Sequence, residues 1–177
     1  MQAKAVRLQN YWYYPGPLSS HVAPINPLAL KEATEAFLAV GLMATSTLIV
    51  CPEALGVPVA TALSIATGIP FSILRKKQVG AESKSFTVTN RYRTTEFFLG
   101  TDVTSARVVL VDDVVSSGST VLRAVAALRG AGATISGIGC LVVRGNGHQV
   151  PALAGVENFV GLVSLNVHPD SGEILCQ

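Results

Sequence analysis

The run RVVLVDDVVSSGST, residues 107–120, constrains this chain more than any other stretch. Its apolar part, Val108 to Val111, predicts a fully buried parallel strand. Asp112 and Asp113 follow directly, and a core strand does not tolerate two carboxylates unless they face a cleft or a partner. A helical pattern begins at Val121. The predicted order is therefore a strand, an acidic edge, a turn rich in hydroxyl groups, and a helix.

This order suits a ligand that carries both a phosphate and a sugar. A turn that leads into a helix offers unpaired backbone N–H groups and the positive end of the helix dipole, and both favour a phosphate. Hydroxyl donors and a permissive glycine are supplied by Ser116, Ser117, Gly118, Ser119 and Thr120. The two carboxylates would repel a phosphate, so we expect them to hold vicinal sugar hydroxyls or Mg²⁺. The simpler alternative, an ordinary helix cap beside a solvated strand end, explains one hydroxyl and leaves the acidic pair without a role.

The stretch VVLVDDVVSSGST resembles the phosphoribosyl pyrophosphate (PRPP) signature of the type I phosphoribosyltransferases. The resemblance implies that Asp112 and Asp113 are the catalytic pair that holds the ribose hydroxyls. It also implies that residues 116–120 cradle the 5′-phosphate, and that Mg²⁺ is bound mainly through PRPP with the acidic pair as a further ligand source. The family usually has Thr at the position of Ser117 and often Gly at the position of Ser119.

A second strand and turn precede the signature. TLIVC predicts a strand from Thr47 to Cys51, and the following turn leads into a helix of small residues. In a parallel α/β sheet such a turn lies at the edge where ligands bind, although this signal alone is weak. Beside the signature, E-A-x-G-x-P resembles the pyrophosphate-binding loop of the purine enzymes, which implies that Glu53, Ala54, Leu55 and Gly56 line the diphosphate. The adenine enzymes often have Arg at the position of Leu55.

Positive charge follows the next predicted strand. Pro70 to Leu74 is mostly apolar and is followed by Arg75, Lys76 and Lys77, the longest unbroken basic run of the chain. A departing diphosphate needs cations, so we assign this run to pyrophosphate binding, with Lys76 or Lys77 as a direct contact. A solvated strand end is the alternative.

The segment 78–100 is polar and alternating, and it predicts a two-stranded ribbon or a long loop. In the family, the corresponding loop closes over PRPP and excludes water from the reacting ribosyl group. The resemblance makes Lys84, Ser85 and Tyr92 the candidates of this flexible loop. An ordinary solvated hairpin face is an equally good interpretation of each one singly.

Composition limits the remaining classes of function. The 177 residues suffice for one domain, and a net charge of +2 with 14% charged residues does not indicate nucleic-acid binding. The apolar stretch 36–74 predicts a buried α/β core rather than a membrane span, because proline and glycine interrupt it. The first ten residues show no signal-peptide pattern, and three cysteines lie in or beside apolar runs, which predicts reduced core thiols and a cytoplasmic protein. These cysteines are Cys51, Cys140 and Cys176.

The predicted fold is α/β: a mostly parallel, doubly wound sheet of about five strands with a flexible two-stranded loop and a small hood. One domain is expected over 1–177, with residues 1–25 and the C-terminal segment as the candidate hood; the residues that bind the base are not assigned. The resemblance implies transfer of 5-phosphoribosyl from PRPP to adenine or to hypoxanthine and guanine, with Mg²⁺, in a homodimer. The alternative is a PRPP-sensing regulatory protein of the same fold with weak or no catalysis.

Overall fold

The structure is a computed structural model that describes residues 6–8, 11–13, 24–78, 84–89, 94–168 and 170–176. The strands are β1 (Val6–Leu8), β2 (Tyr11–Tyr13), β3 (Leu48–Pro52), β4 (Phe71–Leu74), β5 (Lys84–Thr89), β6 (Thr94–Leu99), β7 (Arg107–Val115), β8 (Thr134–Arg144), β9 (Phe159–Val167) and β10 (Ile174–Cys176). The helices are α1 (Pro27–Ala39), α2 (Gly56–Thr67), α3 (Ser119–Gly130) and α4 (Val150–Ala154), with a 3₁₀ turn at Gly145–Gln149.

Within these residues a six-stranded sheet has the order β10-β9-β8-β7-β3-β4. Strands β9, β8, β7, β3 and β4 are parallel, and β10 pairs antiparallel with β9 at one edge. Helices α3 and α4 and the β5–β6 ribbon pack on one face of the sheet and form one core layer with it. Helices α1 and α2 pack on the other face and form a second core layer. The predicted mostly parallel, doubly wound sheet is therefore confirmed.

Strand β7 is longer than its apolar run. Val108 to Val111 are buried, but the ladder with β8 continues to the pair Val115 and Val143. The expectation that the strand ends before the acidic pair is wrong, because β8 extends equally far and supplies hydrogen-bond partners along the whole of β7. Asp112 and Asp113 consequently belong to a paired strand, and α3 begins at Ser119, two residues before the predicted start.

The predicted ribbon is confirmed in its described part, where β5 and β6 pair antiparallel. Arg75, directly after β4, exchanges backbone hydrogen bonds of 3.0 and 2.8 Å with Phe98, which attaches the ribbon to the end of the sheet. Val88 and Phe97 are buried in the same core layer as α3. The ribbon therefore covers the carboxyl edge of β7 rather than standing free of the sheet.

Some predictions concern residues at the ends of the chain or outside the described ranges. Tyr92 and most of residues 1–25 lie outside them; of the latter, the structure gives the antiparallel backbone pairing of β1 with β2. Cys51 and Cys140 are buried as predicted, but the prediction for Cys176 is wrong, because it lies on the edge strand β10 and is exposed. None of the helices described is both long and apolar enough to cross a membrane.

The 3₁₀ turn after β8 supports the end of β7, and a glycine makes this possible. A Cβ atom at Gly147 would overlap the carbonyl oxygen of Val115 and would lie 3.1 Å from Cγ1 of Val143. We expect Gly147→Ala to lower the free energy of unfolding by roughly 2 kcal/mol, because the backbone must move to admit the methyl group. Urea unfolding checks this value.

The matched control is Gly130→Ala, since a Cβ atom at Gly130 meets nothing within 4 Å. Gly130 ends α3, so alanine there should leave stability unchanged or raise it by up to about 1 kcal/mol. Equal stability of the two variants would contradict the proposed packing of the turn beneath β7.

Candidate active site at the carboxyl edge of the sheet

A cleft of about 250 Å³ lies where β3, β4 and β7 end. It brings together the acidic pair, most of the turn after β3, one lysine of the basic run and the inner face of the ribbon. Its lining residues are Pro52, Glu53, Ala54, Leu55, Lys76, Val88, Thr95, Phe97, Asp112, Asp113 and Thr120. The sequence separates these groups widely, and the parallel sheet joins them because its strand ends share one edge.

A smaller cavity of about 130 Å³ adjoins the cleft and is formed by the turn between β7 and α3. Ser116, Ser117, Gly118, Ser119 and Thr120 all line it, together with Asp112 and neighbouring valines. Asp112 and Thr120 line both cavities, so the two are adjacent compartments of one site. All five residues predicted for the phosphate loop are thus placed around one small cavity.

Gly118 determines the shape of this turn. It is the N-cap residue of α3 with φ +73°, a left-handed conformation that favours glycine, and a Cβ atom there would overlap Cγ2 of Val150. Gly118 has no side chain with which to cap the helix, but the Ser117 hydroxyl accepts a 3.4 Å hydrogen bond from the backbone N–H of Ser119. The hydroxyl oxygens of Ser117 and Ser119 lie 3.0 Å apart. A local cap of this kind uses one of the four hydroxyls, and the other hydroxyls and the following amides of the first turn of α3 can contact an anion.

The acidic pair is electrostatically coupled. Burial, and then the charge of Asp113, raise the pKa of Asp112 well above its ordinary value, whereas the charge of Lys76 acts in the opposite direction. The backbone N–H of Asp113 donates to Oδ1 of Asp112 at 2.9 Å. A ligand whose hydroxyl groups donate hydrogen bonds to these carboxylates, or a cation between them, would relieve their repulsion.

The two buried thiols beside the acidic pair are unsuited to nucleophilic or metal chemistry. Burial, and then the charge of Asp112, raise the pKa of Cys51 to about 12, and the same two causes raise the pKa of Cys140. Both thiols therefore stay protonated at neutral pH. Across the described ranges, no group of three or more His, Cys, Asp or Glu side chains could hold a metal ion by itself.

The turn after β3 lies against β7. Gly56 begins α2 and is buried; a Cβ atom there would lie 3.1 Å from the Val111 carbonyl oxygen and 3.3 Å from Oδ1 of Asp112. A side chain at Gly56 would therefore crowd the acidic pair. The peptide bond between Glu53 and Ala54 is cis, and Oε2 of Glu53 accepts a 2.9 Å hydrogen bond from the backbone N–H of Lys76.

The structure separates the basic run Arg75–Lys77. Lys76 lines the cleft, whereas Arg75 and Lys77 line a different cavity of about 360 Å³ against Phe71 of the edge strand β4 and Phe98 of β6. Arg75 still bridges to Phe98, whereas Lys76 and Lys77 lie in the bend that follows, and the change of chain direction at this bend accounts for the division. Of the three cations assigned to pyrophosphate, the structure brings only Lys76 to the acidic pair in this chain.

The ribbon contributes residues that sequence reasoning missed. Lys84 and Ser85 are exposed at the base of the ribbon and do not line the cleft; Lys84 lies near Asp102, whose pKa is lowered chiefly by hydrogen bonds from Thr104 and further by the Lys84 charge. The cleft is lined instead by Val88, Thr95 and Phe97, which share the inner face of the ribbon. The alternation of FTVT and TTEFF contains this signal, because it marks that face as the apolar one.

Comparison with known proteins agrees with this architecture. A family model described as phosphoribosyl transferase domain matches residues 29–160. The chain is 36% identical over 175 residues to a hypoxanthine/guanine phosphoribosyltransferase of Methanohalophilus mahii, covering 98% of this chain and 91% of the relative. It is 33% identical over 147 residues to the hypoxanthine/guanine phosphoribosyltransferase of Methanocaldococcus jannaschii, covering 82% and 80%.

Solved structures share the fold. Adenine phosphoribosyltransferase from Thermoanaerobacter pseudethanolicus superposes with a TM-score of 0.68 at 23% identity, covering 78% of this chain and 82% of that one. Adenine phosphoribosyltransferase from Saccharomyces cerevisiae, complexed with an imino-altritol bisphosphate and adenine, gives a TM-score of 0.68 at 19% identity, covering 77% of this chain and 81% of that one. The family match over most of the chain, the relatives and the shared fold show that this chain belongs to the phosphoribosyltransferases, in their type I branch.

Proposed function

We propose that the chain transfers the 5-phosphoribosyl group of PRPP to a purine base and releases pyrophosphate. The observation that supports this most is that Asp112 is shared between a hydroxyl-lined cavity and a cleft containing Lys76. A sugar phosphate with a second anionic group fits two such compartments with carboxylates between them. The purine base is supported by the curated relatives, which are named hypoxanthine/guanine phosphoribosyltransferases.

In this proposal, the 5′-phosphate lies in the smaller cavity. The backbone amides at the start of α3 and the hydroxyls of Ser116, Ser117, Ser119 and Thr120 donate hydrogen bonds to it. Gly118 permits the backbone to approach closely, because it has no side chain. The phosphate thereby fixes one end of the ribose before any bond changes.

The acidic pair then holds the ribose hydroxyls. Asp112 and Asp113 accept hydrogen bonds from the ring hydroxyls, and their negative charge favours the positive charge that develops on the ribosyl ring. The bond between the anomeric carbon and the diphosphate oxygen breaks with both electrons leaving on the oxygen. A new bond forms from a purine ring nitrogen to the same carbon, and the proton of that ring N–H leaves to solvent or to the departing diphosphate. The residues that bind the base remain unassigned.

The diphosphate lies in the cleft beside Ala54 and Leu55, with the Lys76 ammonium as its counter-charge, and Gly56, outside the cleft lining, stays a predicted contact. Hard carboxylate oxygens of the acidic pair suit Mg²⁺, which is bound mainly through PRPP in this proposal. When bound, Mg²⁺ neutralises part of the charge on the departing diphosphate. Leu55 leaves the turn without the cation that adenine enzymes often have there, so Lys76 carries more of this task.

The ribbon excludes water from the reacting carbon. Val88 and Phe97 are buried and form an apolar wall of the cleft, and Phe97 stacks on Phe86 with ring centroids 5.6 Å apart. Lys84, Ser85 and Tyr92 remain candidates for contacts made when the ribbon closes on PRPP. A dry cleft matters here because water could otherwise attack the ribosyl group.

The proposal extends to assembly and location. We propose one domain over residues 1–177, with residues 1–25 and the C-terminal segment as its hood, in a cytoplasmic homodimer that binds neither nucleic acid nor membrane. The family resemblance supports the dimer. Arg75 and Lys77, which line a cavity apart from the cleft at the β4 edge, remain predicted pyrophosphate ligands.

The test of the proposed function is pyrophosphate release from PRPP and Mg²⁺ with adenine, hypoxanthine, guanine, xanthine or orotate supplied in turn. We expect release with at least one purine and none with orotate. Absence of release with every base, together with calorimetric binding of PRPP, would contradict catalysis and favour the sensing alternative.

We predict that Asp113→Asn lowers kcat/KM for PRPP at least about tenfold, because one carboxylate of the ribose-binding pair loses its charge. Steady-state pyrophosphate release measures this. The control is Glu32→Gln, an exposed carboxylate on α1 outside both cavity linings, which should leave kcat/KM unchanged. Full activity of the Asp113 variant would show that the acidic pair is misassigned.

The raised pKa of Asp112 predicts that removing its charge stabilises the fold, although the same change lowers activity. A carboxyl whose folded-state pKa exceeds its unfolded value stabilises the fold at acidic pH, and this contribution is lost as pH rises through the folded pKa. We therefore expect Asp112→Asn to melt at a higher temperature than the wild type at neutral pH, while it weakens PRPP binding. The difference in melting temperature should shrink as the pH is lowered towards the ordinary aspartate pKa of about 3.9. A variant that melts lower at neutral pH would contradict this account.

A further inference from the structure

Glu53 presents a problem for a diphosphate site. Its carboxylate lines the cleft beside Ala54 and Leu55, where the proposed ligand is strongly negative. Two like charges in a partly enclosed cleft repel each other unless one is engaged elsewhere. The contacts of Glu53 therefore decide what it does.

Both polar ends of Glu53 are attached to the end of β4. Its backbone N–H donates to the carbonyl oxygen of Leu74 at 3.0 Å, and its Oε2 accepts from the backbone N–H of Lys76 at 2.9 Å. Among the described residues, side chains of opposite charge approach within 4.0 Å at Lys31 and Glu35 and not at Glu53 and Lys76. The Glu53 carboxylate therefore does not neutralise the Lys76 ammonium. Glu53 thus binds the backbone of Lys76 and leaves the charge of the Lys76 ammonium group free for a ligand.

Lys76 needs such a restraint. It lies in a bend directly after the residue that joins β4 to the ribbon, where the regular strand pairing has ended. It is the residue of the basic run that lines the cleft, and its neighbours Arg75 and Lys77 line another cavity. A rotation of the backbone at this bend would exchange these directions and remove the cation from the cleft.

We propose that Glu53 is a positioning residue whose side chain holds the backbone of Lys76 so that the ammonium group faces the diphosphate. The inference rests on the proposed function of the cleft. The hydrogen bond requires an acceptor atom at the length of a glutamate side chain, and it does not require a negative charge. A Mg²⁺ ligand at Glu53 would require the charge instead.

Two substitutions separate these requirements. Glu53→Gln keeps a carbonyl oxygen at the same reach and removes the charge, whereas Glu53→Asp keeps the charge and withdraws the oxygen by one methylene group. We expect Glu53→Gln to retain kcat/KM for PRPP within about twofold and Glu53→Asp to lose about tenfold, with KM for the base unchanged. Glu32→Gln, an exposed carboxylate on α1, is the control.

A double-variant cycle tests whether the effect acts through Lys76. In a Lys76→Met background, which itself has reduced activity, Glu53→Asp should lower kcat/KM by less than about twofold further, because the cation it positions is gone. A full additional tenfold loss, or a Glu53→Gln variant as impaired as Glu53→Asp, would overturn the proposal. Melting temperatures of all variants separate these effects from loss of folding.

The wild-type protein separates failure of this inference from failure of the proposed function. If it releases pyrophosphate with a purine, the kinetic comparison stands. If it binds PRPP without release, calorimetric affinity for PRPP with Mg²⁺ replaces kcat/KM and the same ratios are expected. If it neither binds nor turns over PRPP, both the proposed function and this inference fail.

Discussion

The parallel pairing of β7 with β8 is the interaction on which the rest of the site depends. It continues past the apolar run to Val115 and Val143, so the acidic pair lies in a hydrogen-bonded strand. Gly147 beneath the Val115 carbonyl and Gly118 against Val150 then fix where the chain turns into α3. A loop in this place could hold carboxylates and hydroxyls, but a paired strand between two tight glycine contacts holds them at defined positions before the ligand arrives.

The second constraint is electrostatic. Carboxylates suited to a sugar and amides suited to a phosphate must be close without cancelling each other. Asp113 lines the cleft and not the smaller cavity, the turn before α3 lines the smaller cavity, and Asp112 lines both. Burying one carboxylate beside another raises the pKa of Asp112, so the arrangement opposes folding at neutral pH. Such a conflict is expected where a ligand, rather than the protein, completes the charge balance.

Much of the fold and the site could be predicted from local sequence. Buried strands, the acidic pair, the hydroxyl-rich turn and the ribbon each have a short-range pattern, and the family signature connects them. The end of β7 at Val115 could not be predicted, because it depends on the length of β8, which is distant in sequence. The division of Lys76 from Arg75 and Lys77 required knowing which way the bend after β4 faces. The bond from the Lys76 amide to Glu53 links residues 23 apart and leaves no periodic signal.

The most direct test of the central claim is backbone amide chemical shifts measured with each half of the proposed ligand separately. Ribose 5-phosphate should shift the amides of residues 112–120 and leave those of 53–56 unchanged. Pyrophosphate with Mg²⁺ should shift residues 53–56 and Lys76 and leave the turn before α3 unchanged. Shifts in the same residues with both ligands, or in neither group with either ligand, would contradict a site built from two compartments that meet at Asp112.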